Sequence, residues 1–155
     1  MYTPKALFTN YPLMCALVGW FVAQICKVFT GMFRERNFDV ITALFGTGGM
    51  PSSHSAAVCA LAMASAIAYG LNSFQFAVSV VLALIVMRDA SGVRRSAGEQ
   101  AKIINRMIKT LSRGGTIDFN SDIKEIIGHT PFQVFVGAAL GAVVPFLMML
   151  IMPVR

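Results

Sequence analysis

The chain has 155 residues, of which 56% are hydrophobic and only 13% charged, and its mean hydropathy is +0.68. That composition lies outside the range of soluble globular domains. The formal net charge of +6 would suit an anionic partner, but no soluble basic module carries it, so anionic lipid headgroups are expected and nucleic acid is not.

Four apolar stretches are marked in chain order: 11–29, 54–71, 74–87 and 132–152. A spanning helix needs roughly 20 residues, so the third must draw on its flanks, with Arg88 reaching toward the headgroups. The first stretch lacks a small-x-small cleavage site and carries Lys27 near its end, so it is expected to remain as a helix. Cys15, Cys26 and Cys59 all fall within apolar stretches without metal-ligand spacing and read as small buried hydrophobes. The fold class expected is an all-α polytopic membrane bundle of about four transmembrane helices plus a cytoplasmic amphipathic helix, in a single domain over 1–155.

Charge placement sets the orientation. The segments after the first and third stretches carry Arg34, Arg36, Arg88, Arg94, Arg95, Lys102, Arg106, Lys109, Arg113 and Lys124 together with all seven acidic residues, whereas the opposite side holds Lys5 and Arg155. Both termini are therefore expected outside and the polar loops in the cytoplasm. Within the long polar stretch 89–131, AKIINRMIKTLSR sets Ile103, Ile104, Met107, Ile108 and Leu111 against Lys102, Arg106, Lys109 and Arg113. This predicts an amphipathic basic helix, resting on the bilayer or packed on the bundle and closed by Gly114 and Gly115. A second short helix is expected over 122–127. In GHTPFQV, Thr130, Pro131 and Gln133 have the form of an N-cap, a first-turn proline and a capping-box partner, so the last helix starts just after His129. Gly137 and Gly141 read as a close helix-packing face.

Helix N-termini present unpaired N–H groups and the positive dipole end, which suits anions. Both histidines, His54 in GGMPSSHSA and His129, stand at or beside such a start. Gln24, Lys27, Gly31 and Arg34 follow 3, 4, 3 spacing and share one helix face, with Lys27 and Arg34 about 10 Å apart. Arg94 and Arg95 add two guanidiniums suited to forked phosphate contacts. Lys27, Arg34, Ser52, Ser53, His54, Arg94, Arg95 and His129 map to one interface, and a phosphate-binding pocket is the simplest single cause. DFNSD at 118–122 lacks the glycine and glutamate of a calcium loop. GTGGM lacks the context of a nucleotide loop, and the serines near His54 lack the acidic partner and elbow glycines of a serine hydrolase.

PSSH at 51–54 resembles the P-S-G-H motif of the type 2 phosphatidic acid phosphatase and vanadium haloperoxidase superfamily, and Lys27 to Arg34 matches the K-x6-R part of its first motif. GGMPSSHSA, DASGVRR and GHTPFQVFVGA together are similar to a divergent short branch of that superfamily, over nearly the whole chain from Gln24 to Gly141. The resemblance implies a membrane-embedded, metal-independent lipid phosphatase with no cofactor, acting on a lipid phosphomonoester or diphosphate at the cytoplasmic face. His129 would be the nucleophile that becomes phosphohistidine and His54 the proton donor to the leaving alkoxide. Lys27, Arg34, Ser52 and Ser53 would hold the phosphoryl oxygens.

The chain departs from the superfamily pattern at four places. Glu35 replaces the proline after Arg34, Ser53 replaces glycine, Ile123 replaces the third-motif arginine, and Gln133 replaces the aspartate behind the nucleophile. Arg94 or Arg95 could supply the guanidinium, and Asp89 or Glu125 the carboxylate. The same losses raise an alternative, a non-catalytic binder or carrier of lipid phosphates. Four thin helices make an incomplete shell, which leaves room for a homodimer.

Overall fold

The computed structural model of the chain describes residues 5–34, 49–113 and 128–154, with only the backbone course at 5, 33–34 and 111–113. Among the described residues the elements are α1 (Lys5–Phe8), α2 (Tyr11–Arg34), α3 (Ser53–Tyr69), α4 (Phe74–Arg88), a π segment (Asp89–Val93), α5 (Arg94–Arg113) and α6 (Pro131–Met148). Three helical stretches, Tyr11–Met32, Phe74–Thr110 and Pro131–Met148, are long and apolar enough to cross a membrane, and Ser53–Tyr69 is a shorter apolar helix. The fold is an all-α membrane helix bundle.

The short helix α3 is the hub: it packs against α2, α6 and α4, while α2 also meets α6. Its sequence explains this position. Ala56, Ala60 and Ala64 recur every four residues and are fully buried, so they form a smooth stripe on one face. Lipid offers no hydrophobic drive for helix association, and close backbone approach between small residues takes its place. A Cβ at Gly141 of α6 would lie 2.1 Å from the Ala56 carbonyl oxygen, and one at Gly19 of α2 would lie 3.0 Å from the Ala60 Cβ. Larger side chains such as Phe21, Phe29, Ile85, Phe135 and Phe146 point outward. The Ser65 and Ser79 hydroxyls, 3.1 Å apart, tie α3 to α4 across the interior.

Contacts fix the helix directions: α3 and α6 run parallel, with Gly137 against Ser52 and Gly141 against Ala56, and α2 runs opposite to both. At one end, the Tyr11 hydroxyl donates to the Pro145 carbonyl at 2.6 Å, and Tyr11, Cys15 and Ala64 pack with Met148 and Met152. At the other end lie the C-terminal turns of α2, the N-terminus of α3, the π segment and the N-terminus of α6.

The expected capping box is present: Thr130 Oγ1 accepts from the Gln133 N–H at 3.3 Å and Gln133 Oε1 accepts from the Thr130 N–H at 2.9 Å. Ser52 caps α3 by accepting from the Ser55 N–H at 3.4 Å. One expectation is corrected. The third span and the basic helix are not separated by a loop, because α4, the π segment and α5 form one uninterrupted helical rod. Polar residues that suggested a break are absorbed by backbone bonds: Ser91 Oγ donates to the Met87 carbonyl at 2.8 Å and Ser96 Oγ to the Gly92 carbonyl at 3.1 Å. The helix expected over 122–127 and the stop at Gly114 and Gly115 lie outside the described residues.

Candidate phosphate site at the helix ends

Backbone bonds draw the site together before any catalytic side chain is considered. The Ser52 N–H donates to the Gln133 carbonyl at 3.2 Å, and the His129 N–H donates to the Ala90 carbonyl at 3.1 Å. The Thr30 hydroxyl, one turn beyond Lys27, donates to the Met50 carbonyl. Each motif is thus linked to another: α3 to α6, α6 to the π segment, and the GGMP turn to α2.

Glycines permit these approaches. Gly49 has φ +82°, a conformation that side-chain-bearing residues rarely adopt, and a Cβ there would lie 2.8 Å from Lys27 Cε. The turn therefore lies on the methylene stem of Lys27, which is buried with 8% of its surface exposed. A Cβ at Gly128 would lie 2.5 Å from the Arg95 backbone nitrogen, so the residue before His129 crosses directly over the start of α5. A Cβ at Gly137 would lie 2.3 Å from the Ser52 carbonyl oxygen.

The expected residues take the following places. Ser52 and Ser53 are buried at the start of α3, with the Ser55 hydroxyl donating to Ser52 Oγ at 3.0 Å. His54 is exposed and near enough to Arg94, Lys27 and Asp89 for their charges to act on its ring. His129 is half-buried. Burial holds its imidazole below the ordinary histidine range, and the Lys27 ammonium and the His54 ring push the same way, while the Gln133 side chain and the Gly49 backbone oppose them. Lys27 therefore acts on both imidazoles, and a lysine and two histidines from α2, α3 and the start of α6 share one field. Arg94 and Arg95 are exposed at the start of α5. The side chain of Arg34, which ends α2, and all of Glu125 lie outside the described residues.

The carboxylate expected behind His129 is not supplied by Asp89. Asp89 Oδ2 accepts from Arg94 Nε at 2.7 Å, and among the described residues His129 Nδ1 is buried without a hydrogen-bond partner. The π segment explains the pairing. In it the Arg94 N–H bonds the Asp89 carbonyl five residues back, so side chains at i and i+5, which α spacing would separate, stand together. Gln133, meanwhile, spends its carbonyl oxygen on the Thr130 cap.

The sequence model of the Divergent PAP2 family matches residues 8–144. The chain belongs to that family. The divergent PAP2 match spans the Lys27, His54 and His129 motifs alike. The chain is also 41% identical, over 145 residues, to the uncharacterized membrane protein YuiD of Bacillus subtilis (strain 168), a match covering 87% of this chain and 91% of that relative. No solved structure matches.

Two contributors to this divergent PAP2 site escaped the sequence reading. Thr30 was legible only as one more residue on the Lys27 turn, and its bond to Met50 depends on tertiary placement. Gly49 did carry a signal: a glycine pair just before Met50–Pro51 marks a turn, but nothing local shows that the turn closes over Lys27.

Proposed function

We propose that the protein is a lipid phosphatase that works through a phosphohistidine at the cytoplasmic ends of its helices. The observation that carries this reading is the convergence of His129, His54 and Lys27, from three separate elements, on one shared field at a helix N-terminus. Membership of a PAP2-related family supports it, as does the lowered proton affinity of His129, which leaves a ring nitrogen unprotonated near neutral pH.

In the first step the neutral His129 nitrogen attacks phosphorus and the bond from phosphorus to the lipid oxygen breaks. His54 gives a proton to the departing alkoxide. In the second step His54 takes a proton from water, whose oxygen attacks the phosphohistidine and releases inorganic phosphate with a neutral His129. Lys27, the N–H groups at the start of α3 and the Arg94 guanidinium, held by Asp89, neutralise charge on the phosphoryl oxygens. Positive residues flank this end of the bundle, which supports a cytoplasmic side for it with both termini outside.

The test is phosphate release by the purified protein in vesicles from a panel of lipid phosphomonoesters and diphosphates, with His129→Ala alongside. Release by the native chain and none by the variant is expected; equal rates overturn the assignment. The absence, among the described residues, of any hydrogen-bond partner to orient His129 Nδ1 favours one second reading, a lipid-phosphate binder without turnover. That reading requires binding by both proteins, release by neither, and a larger loss of affinity on Lys27→Ala than on His129→Ala.

A further inference from the structure

The helix α5 carries two apolar faces with different fates. Gly98, Ala101 and Asn105 are buried, so the small side of the helix is covered by protein. Ile103, Ile104 and Met107 are 51%, 42% and 59% exposed, on a face turned about 150° from that stripe at 100° per residue. An open groove lined by Ile103, Arg106, Met107 and Thr110 runs along this uncovered side. The amphipathic pattern therefore does not serve to pack α5 on the bundle.

The rod to which α5 belongs says what covers the face. Taken as mean directions along the helix from α4, the uncovered Val78, Val81 and Ile85 and the Ile103, Ile104 and Met107 face lie within about 60° of one another, whether each π residue turns by about 100° or by about 80°. The lipid-facing surface of the span therefore continues onto α5. Between them lies the π segment, the kind of interruption at which helices bend sharply. Charge completes the fit: Arg106 borders the apolar face, about 100° round the helix from its centre, where its long side chain can reach the headgroup level.

We propose that α5 bends at Asp89–Val93 and docks its Ile103, Ile104 and Met107 face on an anionic bilayer surface, with Arg106 at the headgroup phosphates. The surface is independent of the phosphatase reading, because docking is measured without turnover.

The experiment uses the full chain in vesicles, with the tryptophan moved by Trp20→Phe and Ile104→Trp, and with Met107→Trp as a second reporter and Lys109→Trp as the control on the opposite face. Phosphatidylcholine vesicles are compared with vesicles containing phosphatidylglycerol, each carrying lipid brominated near the carbonyl end of the chain. Docking predicts that the indoles of I104W and M107W are quenched in the anionic vesicles and much less in the neutral ones, while that of K109W stays open to acrylamide. Arg106→Gln should lower the docked-to-free ratio about five-fold, the effect of one basic residue at an anionic surface. Acrylamide quenching of I104W and M107W equal to that of K109W in anionic vesicles overturns the proposal. So does equal bromolipid quenching in both vesicle types. Emission shielded from bromolipid and acrylamide alike, with energy transfer between labelled copies, overturns it in favour of a second copy of the chain.

Discussion

Gly137→Ala is the sharpest test of how the site is assembled. The added Cβ would lie 2.3 Å from the Ser52 carbonyl oxygen, 3.1 Å from its nitrogen and 3.2 Å from its carbonyl carbon. The first contact falls about 1 Å short of ordinary van der Waals separation. All three neighbours are backbone, so no rotamer change relieves the clash and α3 and α6 must move apart. Overpacking costs about 1–3 kcal/mol, and losing the Ser52 to Gln133 bond adds about 1 kcal/mol. Against this, alanine in place of glycine favours an interior helical position by about 1 kcal/mol. The net is a destabilisation of roughly 1–3 kcal/mol, seen as a midpoint several degrees lower in thermal unfolding in detergent. Because a displacement of about 1 Å can cost roughly 100-fold in rate, phosphate release should fall far more than stability does. Gly141→Ala, which meets Ala56 one turn deeper, should lose stability similarly while retaining more activity. An unfolding midpoint for Gly137→Ala at or above that of the native chain would refute the close approach.

Thr130→Ala removes the cap of α6 and should cost about 1 kcal/mol, measured by the same thermal unfolding; an unchanged midpoint would mean the box contributes nothing. Burial lowers the folded-state proton affinity of His129, so neutral imidazole is the favoured folded form. Stability from this group is present above its unfolded value of about 6.5 and is lost as pH falls through the folded one. The acid limb of kcat/KM assigned to the nucleophile should accordingly lie below about 6.5, and a limb that sits above it would contradict the assignment, with an NMR titration of His129 as the direct check. Asp89→Asn frees Arg94 from an exposed pair whose stability contribution is at most about 1 kcal/mol. Unfolding should barely move, whereas KM for lipid phosphate should rise; the reverse pattern would make the pair structural.

What was legible in the sequence and what was not divide along the range of the interactions. The Thr130–Pro131–Gln133 cap could be read because every partner lies within four residues. The bundle could be read because apolar length and alanine spacing are properties of the helices themselves. The continuity of 74–113 was not read, because the apolar stretch ends at 87 and Asp89, Ser91 and Gly92 are loop-formers on average. Here the Ser91 hydroxyl turns back to the Met87 carbonyl, and the spacing widens to five residues. That widening also decides the fate of Asp89, expected as a possible carboxylate behind His129 and found on Arg94. The convergence of Lys27, His54 and His129 was legible from helix ends alone, but the Thr30 and Gly49 contacts that position them depend on segments distant in sequence.

The bonds that fix the mouth of the bundle run almost entirely between main-chain atoms: Ser52 to Gln133, and His129 to Ala90. A scaffold pinned this way depends little on the side chains at the bonded positions, since an N–H and a carbonyl suffice there once Gly49, Gly128 and Gly137 allow the close approach. A change of side chain at position 133, whose backbone carbonyl makes the bond, therefore leaves that link standing. Selection can exchange the reactive groups one at a time on an unchanged frame, and a lineage can drift from turnover toward retention of a phosphate, or back again, without refolding.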